Sequence, residues 1–251
     1  KILINVSKPF LPPLGEYVPF LEKIWTSRSL TNNGPYVQEL ELALSNYLDV
    51  PHISLVSNAT MGLMLAFKAC GVTGEVITSP YSFVASSNIL SWCGLTPVFI
   101  DVDPNSLNID PEAIRGAINT NTSAILPIHV YGNPCDILQI EKIAIENQLK
   151  VVYDASHAFG VRHEGQSILA AGDFSVVSFH ATKVFNTFEG GAVISKTAQD
   201  KAVIDTLRNF GFRNEIEVDS IGINGKMPEI NAALGLLQLG YIDGVLSKRK
   251  L

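Results

Sequence analysis

Between Ile53 and Asp154 five short apolar runs are separated by four amphipathic stretches. The runs Ile53–Ser57, Glu75–Thr78, Pro97–Asp101, Ala124–Val130 and Lys150–Asp154 read as strands. The stretches Thr60–Ala69, Val84–Trp92, Pro111–Ile118 and Leu138–Asn147 read as helices. In the first of these Leu63, Ala66, Phe67 and the following Cys70 fall at helical spacing. Pro111 sits where a first helical turn tolerates proline. A helix between each pair of strands forces crossover connections, so the fold is α/β: a mostly parallel sheet sandwiched by helices. Ligands of such sheets bind beyond the carboxyl ends of the strands. The residues that follow strands are therefore the site candidates: Ser57–Thr60, Tyr81–Phe83, Asp154 and Ser178–Lys183.

The pattern changes after Asp154. An apolar strand over 173–179 runs into Ser178-Phe179-His180-Ala181-Thr182-Lys183, and the chain returns through Gly190-Gly191 into a second apolar run, Ala192–Ser195. Helices are expected over Ala198–Phe210 and Pro228–Tyr241. Ahead of the sheet, Leu14–Thr26 and Tyr36–Tyr47 read as helices packed on its outside, and Ser29–Gly34 as a polar loop able to reach a ligand.

The chain has 251 residues, 47% of them hydrophobic, which is enough for one large α/β core. A net charge of −6 without a long basic run argues against nucleic acid and anionic membrane as partners. No apolar window has the length of a membrane span. Lys1–Asn5 is too short and soon too polar for a signal peptide. Cys70, Cys93 and Cys135 are far apart and odd in number, which suits buried thiols in a reducing cytoplasm. His52, His129 and His163 have no metal-ligand spacing, and no metal is expected.

Each strand-end group has a plain reading and a chemical one. Lys183, with Ser178 five residues before it, suits a covalent site for an aldehyde cofactor whose phosphate the serine holds; it equally suits a solvated loop lysine. Asn58-Ala59-Thr60 opens a helix directly after a strand. That corner is a phosphate site built from free amides and the Thr60 hydroxyl, an ordinary N-cap by Ser57 or Asn58, or both. Asp154 is a structural acceptor or the partner of a pyridine nitrogen. Phe83 is core or a stacking platform for a flat ring. His157 and His180 are structural histidines or contacts to a phenolic oxygen or a substrate.

Seven stretches in order carry a stronger signal: Leu30–Pro35, Ser57–Thr60, Ser82–Ser86, Pro127–Gly132, Asp154–Gly160, Ser178–Lys183 and Arg208–Gly211, with Gly222–Met227 closing the set. Together they resemble the DegT/DnrJ/EryC1/StrS group of sugar aminotransferases. These use pyridoxal 5'-phosphate (PLP) and have the aspartate-aminotransferase-like large domain of PLP fold type I. The resemblance implies that Lys183 is the catalytic lysine that bonds to the cofactor aldehyde and that Asp154 partners the pyridine nitrogen. It implies that Phe83 stacks on the ring and that Ala59, Thr60 and Ser178 contact the phosphate. His157 and His180 fall beside the cofactor. Asn224 matches an asparagine that reaches the phosphate of the neighbouring subunit, which implies a homodimer with shared sites. Two departures stand out: Asn209-Phe210-Gly211 where the family has Asn-His-Gly, and Lys226-Met227 where it often has Arg-Met, without the bidentate geometry of arginine. The chain also starts without Met and stops at Lys248–Leu251. Residues 1–240 are expected to be the PLP-binding large domain and 241–251 the start of a connection to a small carboxyl-terminal domain outside this sequence.

The implied reaction moves an amino group from an amino acid, glutamate by resemblance, to a nucleotide-linked keto-sugar. The stretch Ser178–Lys183 looks like enzymes that aminate C4 of dTDP-4-keto-6-deoxy-glucose; relatives acting at C3 more often carry Tyr at the position of His180. The setting would be polysaccharide biosynthesis, such as O-antigen, in the cytoplasm. Rival readings are C3 amination, a nicotinamide oxidoreductase, which lacks its G-x-G-x-x-G here, and a non-catalytic regulator on the same fold, which would have lost Lys183 or Asp154. Same-fold sugar dehydratases carry histidine in place of the lysine.

Overall fold

The computed structural model describes residues 8–249. The reading of Lys1–Asn5 lies outside the described residues. Helices α1 (Leu14–Ser27) and α2 (Pro35–Leu48) precede the sheet. Then follow β1 (Ile53–Val56), α3 (Ala59–Cys70), β2 (Glu75–Thr78), α4 (Val84–Trp92), β3 (Thr96–Phe99), α5 (Pro111–Ala117), β4 (Thr122–Leu126), α6 (Ile137–Asn147) and β5 (Lys150–Asp154). A small hairpin, β6 (Arg162–His163) and β7 (Gln166–Ser167), leads to β8 (Phe174–Ser178) and β9 (Gly191–Ser195). Helices α7 (Ala198–Leu207), α8 (Glu229–Leu239) and α9 (Ile242–Arg249) complete the described chain.

The seven-stranded sheet has the order β1-β9-β8-β5-β4-β2-β3. Strands β3, β2, β4, β5 and β8 run parallel, and β9 is antiparallel to both its neighbours. The carboxyl ends of the parallel strands therefore share one edge, and the turn from β8 into β9 lies on that edge.

Side chains alternate across the sheet as strand geometry requires. Val76, Ala124, Leu126, Val152 and Val176 face one layer with Leu63, Phe67, Leu90 and Ile204 of α3, α4 and α7. Ile77, Ile125, Val151 and Tyr153 face the opposite layer with Ile114, Ile140 and Ile143 of α5 and α6. On that same side Leu55, Val177, Ala192 and Ile194 meet Leu40, Leu44 and Leu48 of α2. Each fully buried aliphatic side chain contributes about 1.5–3 kcal/mol by leaving water, so both faces need their helices.

Several expectations change. Helix α1 packs chiefly on α8, where Tyr17 and Ile24 meet Ala233 and Leu234, and touches α2 through Phe20 and Tyr36. Helix α7 stops at Leu207 rather than Phe210, because Phe210 and Gly211 adopt left-handed backbone (φ 58° and 85°) that no α-helix continues. Strand β4 stops at Leu126 rather than Val130; beyond Pro127 the chain bends into a 3-10 turn, Val130–Gly132, with Tyr131 at φ 54°. Helix α9 and the β6–β7 hairpin had no counterpart in the sequence reading.

Candidate active site

At the end of β1 the chain turns directly into α3. Asn58 caps that helix, its Oδ1 accepting from Met61 N at 2.8 Å. Among the described residues no protein group accepts from the amides of Ala59 or Thr60. These donors point out of the helix where its dipole is positive, an arrangement that binds phosphate. Strand β9 abuts this corner so closely that a Cβ on Gly191 would lie 2.8 Å from Ala59 N. Only glycine permits that approach. Ser178, buried at the end of β8, brings a hydroxyl to the same cavity.

Asp154 forms the floor. Its carboxylate is 6% exposed, and it accepts from Ser86 Oγ at 2.6 Å and from Ser156 N at 3.0 Å. Beside it the fully buried ring of His129 stacks on Tyr153 at 4.7 Å. Nδ1 of His129 accepts from Cys135 N at 3.1 Å, so the ring hydrogen sits on Nε2, which among the described residues has no protein partner. Burial pushes this imidazole down to about 4, against the opposing pull of the Asp154 charge.

Lys183 lies in the turn after β8, its amide donating to His180 O at 2.9 Å. Burial holds its amine below the ordinary lysine range, although the Asp154 charge works the other way. His157 is also held below the usual histidine value, by burial first and then by the positive charge of Lys183, with Asp154 opposing. Its ring lies parallel to that of Tyr131 at 6.4 Å. Tyr131 in turn shares a 2.8 Å hydrogen bond between phenols with Tyr81.

One cavity of about 480 Å³ gathers these groups. Ala59, Thr60, Phe83, Asp154, His157, Ser178, His180 and Lys183 all line it, and all but His157 belong to the strand-end stretches singled out above. Phe83, directly before α4, is 74% exposed, so it is not a core phenylalanine but an open ring on the cavity wall. Asn224 does not line this cavity; it is exposed and pairs in an isolated bridge with Asn209. The Ser29–Gly34 loop is also elsewhere, with Asn32 and Asn33 beside Lys226 and Arg213 in a separate cleft. Sequence reasoning missed Glu189 and Ser156 in the cavity and Ser86 behind Asp154. Ser86 stands three residues after Phe83, one helical turn on, which is a legible signal. Amides and hydroxyls at a helix start, a buried carboxylate and a half-buried neutralisable amine around one cavity form a donor set that fits PLP.

The sequence model of the DegT/DnrJ/EryC1/StrS aminotransferase family matches residues 16–251. The dTDP-4-amino-4,6-dideoxy-D-glucose transaminase of Shigella dysenteriae is 54% identical over 246 residues, covering 98% of this chain and 67% of that protein. The crystal structure of DesI in the presence of its TDP-sugar product superposes with a TM-score of 0.91 at 40% identity, covering 96% of this chain and 61% of that one. NtdA from Bacillus subtilis, solved with bound cofactor PMP, gives a TM-score of 0.85 at 28% identity over 95% of this chain and 57% of its own. The chain thus spans about two thirds or less of the length of these relatives. The sheet order, the cavity at its carboxyl edge and these matches agree: the chain belongs to the DegT/DnrJ/EryC1/StrS family of PLP-dependent aminotransferases.

Proposed function

We propose that the protein transfers an amino group from an amino acid, glutamate, to C4 of a nucleotide-linked keto-sugar, dTDP-4-keto-6-deoxy-glucose. The observation that carries this reading is the meeting of Lys183, Asp154 and the α3 amino terminus around one cavity. Similarity to a dTDP-4-amino-4,6-dideoxy-D-glucose transaminase supports the sugar and the carbon.

Bound in the cavity, PLP supplies an aldehyde carbon for the amino donor and a ring that takes up electrons from the bond broken beside the nitrogen. Ala59, Thr60 and Ser178 hold the phosphate with backbone and hydroxyl donors. Phe83 would cover one face of the ring. Asp154 keeps a proton on the pyridine nitrogen. His157, with Tyr131 packed along its ring, would contact the phenolic oxygen. Lys183 would be the general base: burial lowers the proton affinity of its amine, which favours the neutral form a base needs, and Nζ would take the proton from the donor α-carbon and later return one to the sugar carbon.

Asn224 is exposed and does not line its own cavity, which suits a contact to the phosphate site of a second copy in a homodimer. Residues 1–240 then act as the large domain, and 241–251 lead toward a smaller carboxyl-terminal domain. The three cysteines are free, as a reducing cytoplasm would keep them, and among the described residues no single helix is long and apolar enough to cross a membrane. The amino sugar would serve polysaccharide biosynthesis, with O-antigen as one destination.

The test is spectroscopic. The purified holoenzyme should absorb near the visible edge and shift when glutamate is added, then revert with dTDP-4-keto-6-deoxy-glucose. A protein without such a band does not bind PLP in this way; a band unmoved by glutamate removes the donor.

A further inference from the structure

We infer that Glu189 recognises the sugar: its carboxylate accepts a hydroxyl of the keto-sugar ring, and His180 Nε2 donates to the same hydroxyl oxygen. This rests on the nucleotide-sugar aminotransferase reading above.

Besides Asp154 on the floor, Glu189 is the carboxylate that lines the cavity. Its side chain is 62% exposed, and among the described residues its oxygens have one polar neighbour, His180 Nε2 at 3.5 Å. That distance is long for a hydrogen bond, so each group keeps bonding capacity for a third. The imidazole is aimed by its own turn. Its Nδ1 lies 2.9 Å from Thr182 Oγ1 and accepts from Thr182 N at 3.3 Å, which leaves the ring hydrogen on Nε2, facing Glu189.

The backbone that carries the carboxylate is fixed as well. The carbonyl of Glu189 accepts from Thr187 Oγ1 at 2.9 Å and from Asn231 Nδ2 at 2.8 Å, and the same Asn231 amide donates to Thr187 O at 2.8 Å. A Cβ on the next residue, Gly190, would fall 2.1 Å from Thr187 Oγ1 and 2.7 Å from Met227 Cε. The turn that carries Glu189 is therefore tied to α8 through Asn231 and packed too closely to take a side chain at Gly190.

Charge decides what this pair receives. A cofactor phosphate, a nucleotide diphosphate and both carboxylates of glutamate are anionic, and a carboxylate repels each of them. The neutral part of the proposed substrates is the sugar ring. A hydroxyl is donor and acceptor at once, so it fits between an acceptor-only carboxylate and an N–H, and its bond to the carboxylate is charge-assisted.

The test separates the two half-reactions of the holoenzyme by rapid-mixing absorbance. Wild type, Glu189→Gln and Glu189→Asp are each mixed with glutamate; the amine forms are then mixed with dTDP-4-keto-6-deoxy-glucose. Glu189→Gln should lower the second-order rate constant of the sugar half about tenfold or more. Glu189→Asp should recover part of that loss, and the glutamate half should change less than about twofold, with no added cost from removing a negative charge. Equal losses in both halves would mean that Glu189 acts through Lys183 or the fold, and would overturn the inference. So would an unchanged sugar half in Glu189→Gln while wild type consumes the keto-sugar. A wild-type enzyme that completes the glutamate half and ignores the keto-sugar instead overturns the nucleotide-sugar reading, and the inference with it.

Discussion

Ser86, in the first turn of α4, donates its hydroxyl to Asp154 Oδ2 at 2.6 Å, joining a helix start to the end of β5 across the cavity floor. With Ser156 N on the other oxygen, the carboxylate is held in one orientation. Asp154→Asn removes the charge that keeps the pyridine nitrogen protonated and should slow the glutamate half-reaction by about 10²–10⁴-fold. Ser86→Ala keeps the charge and loses one hydrogen bond, so about tenfold is expected. Rapid-mixing spectra give both rates. A wild-type rate in Asp154→Asn would leave that residue a structural role only.

Lys183→Ala should abolish turnover and leave PLP bound without a covalent link. Borohydride reduction of the wild-type holoenzyme followed by peptide mapping should place the label on Lys183. Label on Lys196 or Lys201 would move the chemistry to another residue and sink the assignment.

His129 predicts a pH dependence of stability. Its folded value, about 4, lies below the ordinary 6.5. Between those two values an unfolded chain binds a proton that the folded chain does not. Stability therefore falls as pH drops through that window and stops falling from this source below about 4. The full window is worth up to about 3 kcal/mol. His157, also held below its usual value, acts in the same direction. Urea midpoints from pH 7 to pH 4.5 should decline less steeply in His129→Asn, whose side-chain oxygen can still accept from Cys135 N. An identical slope in the variant would exonerate His129.

The sheet and the cavity were legible in the sequence because strand periodicity and strand ends are local. The residues over 150–154 read as β5 from pattern alone, and its last residue fell where a ligand group belongs. Seven of the proposed contacts followed from the same logic and line one cavity, which His157 joins. What escaped is nonlocal. Nothing near Glu189 in sequence tells that Asn231, 42 residues on, fixes its carbonyl. Tyr131 could not be foreseen at φ 54°, since its neighbours read as strand. The end of α7 was misplaced because Phe210 takes a left-handed conformation that glycine usually marks.

Asn224 makes a prediction that depends on assembly. It lies in the segment that bridges Asn209 on one side and, through Lys226, Val56 on the other. That ties it to the carboxyl end of the edge strand β1, the end that opens the phosphate corner, yet its side chain is outside its own cavity. If it serves a partner's phosphate site, Asn224→Ala and Lys183→Ala are defects in different copies. Mixing the two inactive proteins and allowing subunits to exchange would create dimers with one site carrying both changes and the other carrying neither. Random exchange at equal amounts should then restore about a quarter of wild-type activity, since half the dimers are mixed and each has one intact site. Light scattering should show a dimer at micromolar concentration. A monomer with PLP fully bound would end the proposal. A measured dimer that fails to complement, with both variants separately inactive and subunit exchange verified, would place Asn224 in its own subunit's site.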